Sequence, residues 1–325
     1  MSSKTFALCS IMSLSAGMSI AEAPQVAVDI APVHSLVARV MEGVGTPNLI
    51  IPAGASPHEY NLRPSEAASL QNADVVFWVS ASLTPWMKNA IETLAEDAVV
   101  TELFEVEGTL KLPFRQGVLF EEHDDHDGHD DHEAHDDHDG HDDHEAHDDH
   151  EGHNHDGDDP HAWLSPDNAA VWLNAIAQTL SKVDPDNASQ YYLNAAAGQK
   201  ELRELSTKIN GILAPFEGRN FIVFHDAFQY FEKAFDFYAA GAISLSDARD
   251  PSPARIAKIQ NRINEQNISC ILSEPQFNPN IVAAVASGSD VKMGILDPLG
   301  VGLELGETLY FQTLHNLAKA LSDCL

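Results

Sequence analysis

The stretch Asp74-Val-Val-Phe-Trp-Val-Ser80, followed by Pro85-Trp-Met-Lys-Asn-Ala-Ile-Glu-Thr-Leu-Ala95 and Ala98-Val-Val-Thr-Glu-Leu103, decides the fold class. The first segment is a short, unbroken apolar run, the pattern of a strand covered on both faces. The second opens on proline and carries apolar residues at helical spacing, and the third is again strand-like. Strand, helix and strand of these lengths make a parallel βαβ unit. Outward from it toward the N-terminus, strands are expected at 25–30 and 48–52, and helices at 35–44 and 64–72.

The same alternation returns in the second half. Strands are predicted at 220–225, 239–245, 268–273 and 291–296, with helices at 227–235, 252–266, 279–286 and 307–325. Between the halves lie two helices. Ser165-Pro-Asp opens the first, with Ser165 as N-cap, and it runs to Val183. The second covers 186–213, with Leu193, Leu202, Leu205, Ile209 and Ile212 at helical spacing. At 1.5 Å per residue it would be roughly 40 Å long, the width of a domain. The expected architecture is two parallel-sheet α/β lobes joined by one long helix: an N-terminal lobe over 24–185, a connecting helix over 186–214 and a C-terminal lobe over 215–325. Ligands of such sheets bind beyond the carboxyl ends of the strands.

A chain of 325 residues, 44% of them hydrophobic, suits two such lobes. Its formal charge of −32 is unevenly spread. Residues 121–159 hold twenty Asp and Glu and no Lys or Arg; outside them thirty acids meet eighteen bases, leaving −12 (18 − 30). A phosphate-backbone binder needs a basic stripe, and the sequence has none, so nucleic acid is excluded as a partner. Lys4, the apolar stretch from Phe6 to Met18 and the small residues Ser19-Ile-Ala21 and Ala21-Glu-Ala23 read as a signal peptide over 1–23. The chain is therefore expected to be exported. Cys9 falls in that segment, and Cys270 and Cys324 lie beyond it. Two cysteines in an exported protein favour a disulfide, the alternative being two separate thiols. A bridge would tie the last helix to a strand.

Within 121–159, His recurs at every third position: His123, His126, His129, His132, His135, His138, His141, His144, His147, His150 and His153, with His155 beyond the phase. The twelve-residue unit His-Asp-Asp-His-Asp-Gly-His-Asp-Asp-His-Glu-Ala occurs twice and begins a third time. No aliphatic residue larger than Ala is present and the carboxylates repel one another, so the segment reads as a disordered loop. An acidic spacer would have no need of imidazole in phase. Imidazole and carboxylate are ligands for zinc and its neighbours, and the loop is read as a secondary metal collector.

Only five histidines remain: His34, His58, His161, His225 and His315. His58 follows the second strand in Gly54-Ala-Ser-Pro-His-Glu-Tyr60. His161 follows the acidic loop in Asp159-Pro-His-Ala-Trp-Leu-Ser-Pro166. His225 ends a strand in Phe221-Ile-Val-Phe-His-Asp-Ala227, and Asp297 ends the last strand in Leu296-Asp-Pro-Leu-Gly300. Each falls in a loop or at the carboxyl end of a strand, where two facing lobes would hold a ligand. His34 begins a helix and His315 lies within one; both read as structural.

Across 54–64, 71–79, 161–166, 223–232, 273–277 and 293–300, the chain resembles the periplasmic zinc-binding proteins of the ZnuA type, solute-binding proteins that deliver zinc to a bacterial ABC importer. The resemblance implies Zn²⁺ as the transported ligand, a membrane permease of a zinc ABC importer as partner, a periplasmic location and a monomer. It implies His58, His161 and His225 as metal ligands, with Asp297 at the position that completes the site in many relatives. Some zinc-binding relatives have an acidic residue just before the first histidine, where this chain has Pro57; Glu59 follows instead, so Asp297, water or Glu59 is left for the fourth place. Manganese-binding relatives tend to carry a carboxylate where this chain has His225, and imidazole there favours zinc. The family disulfide matches Cys270 and Cys324. Three histidines with an open position also describe catalytic zinc, but the sequence has no His-Glu-x-x-His helix and no evident base beyond Glu59. The reading is a binding protein, not an enzyme; a zinc hydrolase and a stand-alone zinc buffer are the alternatives.

Overall fold

The computed structural model describes residues 23–115, 120, 157–244 and 251–325. The signal segment apart from Ala23, and the His/Asp-rich loop apart from 157–159, lie outside the described residues, as does Leu245 at the end of one expected strand.

The first lobe contains β1 (Val26–Val28), α1 (Ala31–Val40), β2 (Asn48–Leu49), α2 (Pro64–Gln71), β3 (Val75–Trp78), α3 (Pro85–Leu94) and β4 (Val99–Glu102). The four strands are all parallel, in the order β2-β1-β3-β4. All of Val75–Trp78 is buried, as its uninterrupted apolar run requires. Helix α1 begins four residues earlier than expected. Pro32 sits in its first turn, where the missing N–H has no helical partner to lose.

Two long helices follow, α4 (Pro166–Val183) and α5 (Ala188–Leu213). The Ser165 hydroxyl accepts from the Asn168 N–H at the start of α4, the cap read from the sequence. The second lobe then repeats the first: β5 (Phe221–His225), α6 (Gln229–Phe235), β6 (Ala242–Ser244), α7 (Pro253–Glu265), β7 (Cys270–Ser273), α8 (Pro279–Ala286), β8 (Lys292–Ile295) and α9 (Leu309–Cys324). Its strands are again all parallel, in the order β6-β5-β7-β8. In each sheet the order reverses between its first and third strands, the switch point where α/β sheets open a ligand crevice.

Among the described residues, the larger of two apolar clusters is shared between the lobes. It runs from β1 and β3 through α1, α4 and α5 to Tyr310, Leu314, Leu317 and Leu321 of α9. A smaller cluster around Ile222, Ile243, Ile259 and Ile271 covers the far side of the second sheet. Helix α5 is thus a packed member of the core. Its buried face runs through Tyr191, Ala195, Gly198, Leu202, Leu205 and Ile209. Leu193, expected on that face, is 66% exposed. Gly198 permits the close approach of α4, since a Cβ there would meet Leu173 Cδ1 at 3.0 Å. Arg39 on α1 donates from Nε and Nη2 to both oxygens of Glu201 on α5, at 3.1 and 2.9 Å. The Tyr310 N–H of α9 donates to Ser35 Oγ of α1 at 2.9 Å. These contacts tie α1 to α5 and α9. Cys270 and Cys324 form a disulfide that ties α9 to β7.

Candidate metal centre

The loop after β2 carries His58. Trp86 of α3 fixes it by donating from Nε1 to the Pro57 carbonyl at 2.9 Å, and His58 itself is half-buried. His161 precedes the single turn Ala162–Leu164 that leads into α4. Its ring packs 5.3 Å from Trp163, whose indole N–H donates to the Pro298 carbonyl of the second lobe at 3.0 Å. His225 is the last residue of β5, beside the switch point of the second sheet, with Phe277 packed 5.4 Å from its ring. His161 and His225 are both buried.

The structure brings these three together. One ring nitrogen of each lies within 4.8 Å of the others, and the Nε2 atoms of His161 and His225 are 3.4 Å apart. Two nitrogens bound tetrahedrally to zinc, each at about 2.0–2.1 Å, would be about 3.4 Å apart.

Two carboxylates aim the rings. Asp159 Oδ1 lies 2.6 Å from His161 Nδ1 and also accepts the His161 backbone N–H at 3.0 Å. Glu274 Oε1 lies 2.6 Å from His225 Nδ1, while Gln276 Nε2 donates to Glu274 Oε2 at 2.9 Å. A carboxylate can only accept, so each Nδ1 carries the proton and each Nε2 presents its lone pair to the centre. The sequence reading gave neither residue a role. A signal for Glu274 exists in the β5–β7 register, which pairs Phe221 with Cys270 and Val223 with Leu272. Continued by two residues, it sets Glu274 beside His225. That register is known only once the strands are paired.

Asp297 is not one of the three-residue group. Its Oδ1 accepts from the N–H groups of Leu299 and Gly300, both at 3.0 Å, and its Oδ2 from Val301 at 2.5 Å. Burial pushes its carboxyl above the usual range, and these backbone donors pull it back. The bonds use three of roughly four lone-pair sites on a carboxylate. Glu59 is exposed. His34 lies inside α1, its Nε2 donating to the Pro47 carbonyl at 3.1 Å, and His315 lies within α9.

Next to His225, Asp226 is held by Arg115, whose Nε lies 3.0 and 3.1 Å from its two oxygens. Arg115 Nη1 also donates to Glu232 Oε2 at 2.6 Å. Burial raises both carboxyls above their ordinary range, and Arg115 opposes this. Neither Arg115 nor this cluster was legible in the sequence.

Residues 26–324 match the model of the family described as ZnuA, zinc-uptake complex component A, periplasmic. The chain belongs to the ZnuA family. The high-affinity zinc uptake system protein ZnuA of Brucella abortus (strain 2308) is 44% identical over 314 residues, covering 95% of this chain and 94% of the relative. The protein of the same name from Paracoccus denitrificans (strain Pd 1222) is 45% identical over 306 residues, covering 94% and 93%. A solved ZnuA crystal structure superimposes with a TM-score of 0.72 at 21% identity, covering 93% of this chain and 99% of that one, so the fold is shared. As a ZnuA-family member the chain falls among solute-binding transport proteins. No described helix is long and apolar enough to cross a membrane.

Proposed function

We propose that this protein captures Zn²⁺ in the periplasm with His58, His161 and His225 and delivers it to the permease of an ABC-type zinc importer. The observation that carries the reading is the 3.4 Å separation of two Nε2 atoms whose Nδ1 atoms are both held by carboxylates. Three converging imidazoles, two of them at the spacing of tetrahedral ligands, favour zinc over harder cations. The relatives named for high-affinity zinc uptake support the same cargo. In this reading the N-terminal lobe (24–185) supplies His58 and His161, and the C-terminal lobe (215–325) supplies His225. The helix between them (186–214) holds the lobes at a fixed distance. Asp297 or water fills the fourth position.

The protein works as a carrier, not a catalyst. Asp159 and Glu274 are each engaged by a ring nitrogen and Asp226 by Arg115, which suits them to orienting and pairing roles. The twelve histidines of the insert collect or buffer zinc near the tight site. Zinc titration against a competing chelator tests the site: one tight equivalent is expected, lost on replacing any of the three histidines. Growth in zinc-limited medium after gene deletion separates an importer subunit from a stand-alone buffer, since only the former is needed for uptake.

A further inference from the structure

The segment that leads into the His-rich insert is fastened to the lobe opposite the one it grows from. Leu112 to Phe114 runs antiparallel to 157–159, with Asp159 N–H donating to the Leu112 carbonyl at 2.7 Å and Pro113 bridging Asp158. Three side chains of α6, in the second lobe, grip this stem. Gln229 Nε2 donates to the Pro113 carbonyl at 3.1 Å and to Asp159 Oδ2 at 3.2 Å. The Tyr230 hydroxyl donates to the Asp159 carbonyl at 2.7 Å and accepts the Leu112 N–H at 2.9 Å. Glu232, fully buried, takes Arg115, which also forks onto Asp226. The Phe120 ring covers the guanidinium, 3.6 Å from it.

Each grip ends beside a histidine. Asp159 orients His161, and Asp226 directly follows His225 in the chain. The stem therefore cross-links the two histidines that come from different lobes. We propose that Arg115 is a positioning residue of the zinc site: its fork onto Asp226 and Glu232 holds His225 in register with His161 and slows zinc release. This rests on the assignment of the three histidines as zinc ligands. The guanidinium suits the task because its planar fork meets two carboxylates at fixed angles, whereas a lysine ammonium is a point charge on a flexible stem.

Arg115→Lys in the full mature chain separates geometry from charge. The charge remains, so the two buried carboxylates should stay compensated and the fold should be retained. Glu232→Gln, made alongside, weakens the same fork from its other side. Both variants are loaded with zinc, and release into excess chelator is followed by stopped flow. The expected result is release about tenfold faster than the parent in each, the size of effect usual for groups that orient metal ligands. A purely structural Arg115 would lower the melting temperature and leave the release rate unchanged. Parent-like release from both variants, with the tight site lost in His225→Ala, overturns the positioning role and leaves the zinc site standing. If His225→Ala holds zinc as tightly as the parent, the site assignment fails and the role of Arg115 with it.

Discussion

His161 and His225 meet at 3.4 Å between their Nε2 atoms although they are 64 positions apart in the chain. One enters from the turn before α4 and the other from the end of β5, and residues of α1, α4, α5 and α9 share one buried apolar cluster between them.

In the proposed site, replacing His58, His161 or His225 with alanine removes one of the three ligands. Each change is expected to weaken zinc by more than the ~10–100-fold typical of losing an orienting partner. Asp297→Ala is expected to be milder, because water can take its place. Competition titration with a chromophoric chelator reads both, and equal affinity across the histidine variants and the parent would refute the site.

The orienting carboxylates give a graded prediction. In Asp159→Asn and Glu274→Gln the new amide can rotate to present either oxygen or NH₂ to the ring, so the tautomer is no longer fixed. Zinc affinity should fall about 10–100-fold in each while the melting temperature of the metal-free protein changes less. An unchanged affinity would mean that Asp159 and Glu274 serve packing alone.

Asp29 supplies a pH prediction. It directly follows β1, fully buried, and accepts the N–H groups of Ile30 at 2.8 Å and Val79 at 2.7 Å. Burial pushes its carboxyl up to about 7. The folded state therefore binds a proton that the unfolded state has already released. The stability this group confers is complete below about pH 4 and is lost as pH rises through about 7, up to about 4 kcal/mol. Urea melts of metal-free protein at several pH values should show that slope flattened in Asp29→Asn; an identical slope in the variant would assign it elsewhere.

The Cys270–Cys324 bridge closes a loop with a sequence separation of 54. In the chain-entropy model such a loop is worth about 4 kcal/mol. Reduction should lower the melting temperature by several degrees, and unfolded, unreduced protein should give no reaction with a thiol reagent. Two reactive thiols in that assay would rule the bridge out.

Deleting 123–155 should leave one tight zinc and the same fold, and should remove weaker sites, because the three site histidines and Arg115 lie outside the deletion. Extending the deletion to remove Arg115 should also speed release from the tight site. Calorimetry and stopped-flow loading separate the two deletions, and loss of the tight site in the shorter one would contradict the division of labour.

The sequence by itself determined the two parallel sheets, because the pattern that encodes a buried strand or an amphipathic helix repeats within a few residues and needs no distant partner. Val75–Trp78 and Phe221–His225 announce themselves in this way, as does the Ser165 cap on α4. The histidines could be singled out because few remain outside the insert and each marks a strand end or loop. Only the tertiary structure decided what surrounds them. Glu274 reaches His225 across 49 positions and Arg115 reaches Asp226 across 111, contacts fixed by strand register and by how the lobes dock. The same docking joined residues of both lobes in one large cluster and turned Leu193 outward, since which face of α5 is buried depends on the helices that meet it. Local periodicity specifies the elements; long-range packing specifies the hydrogen bonds between them, and the proposed zinc site is made of those.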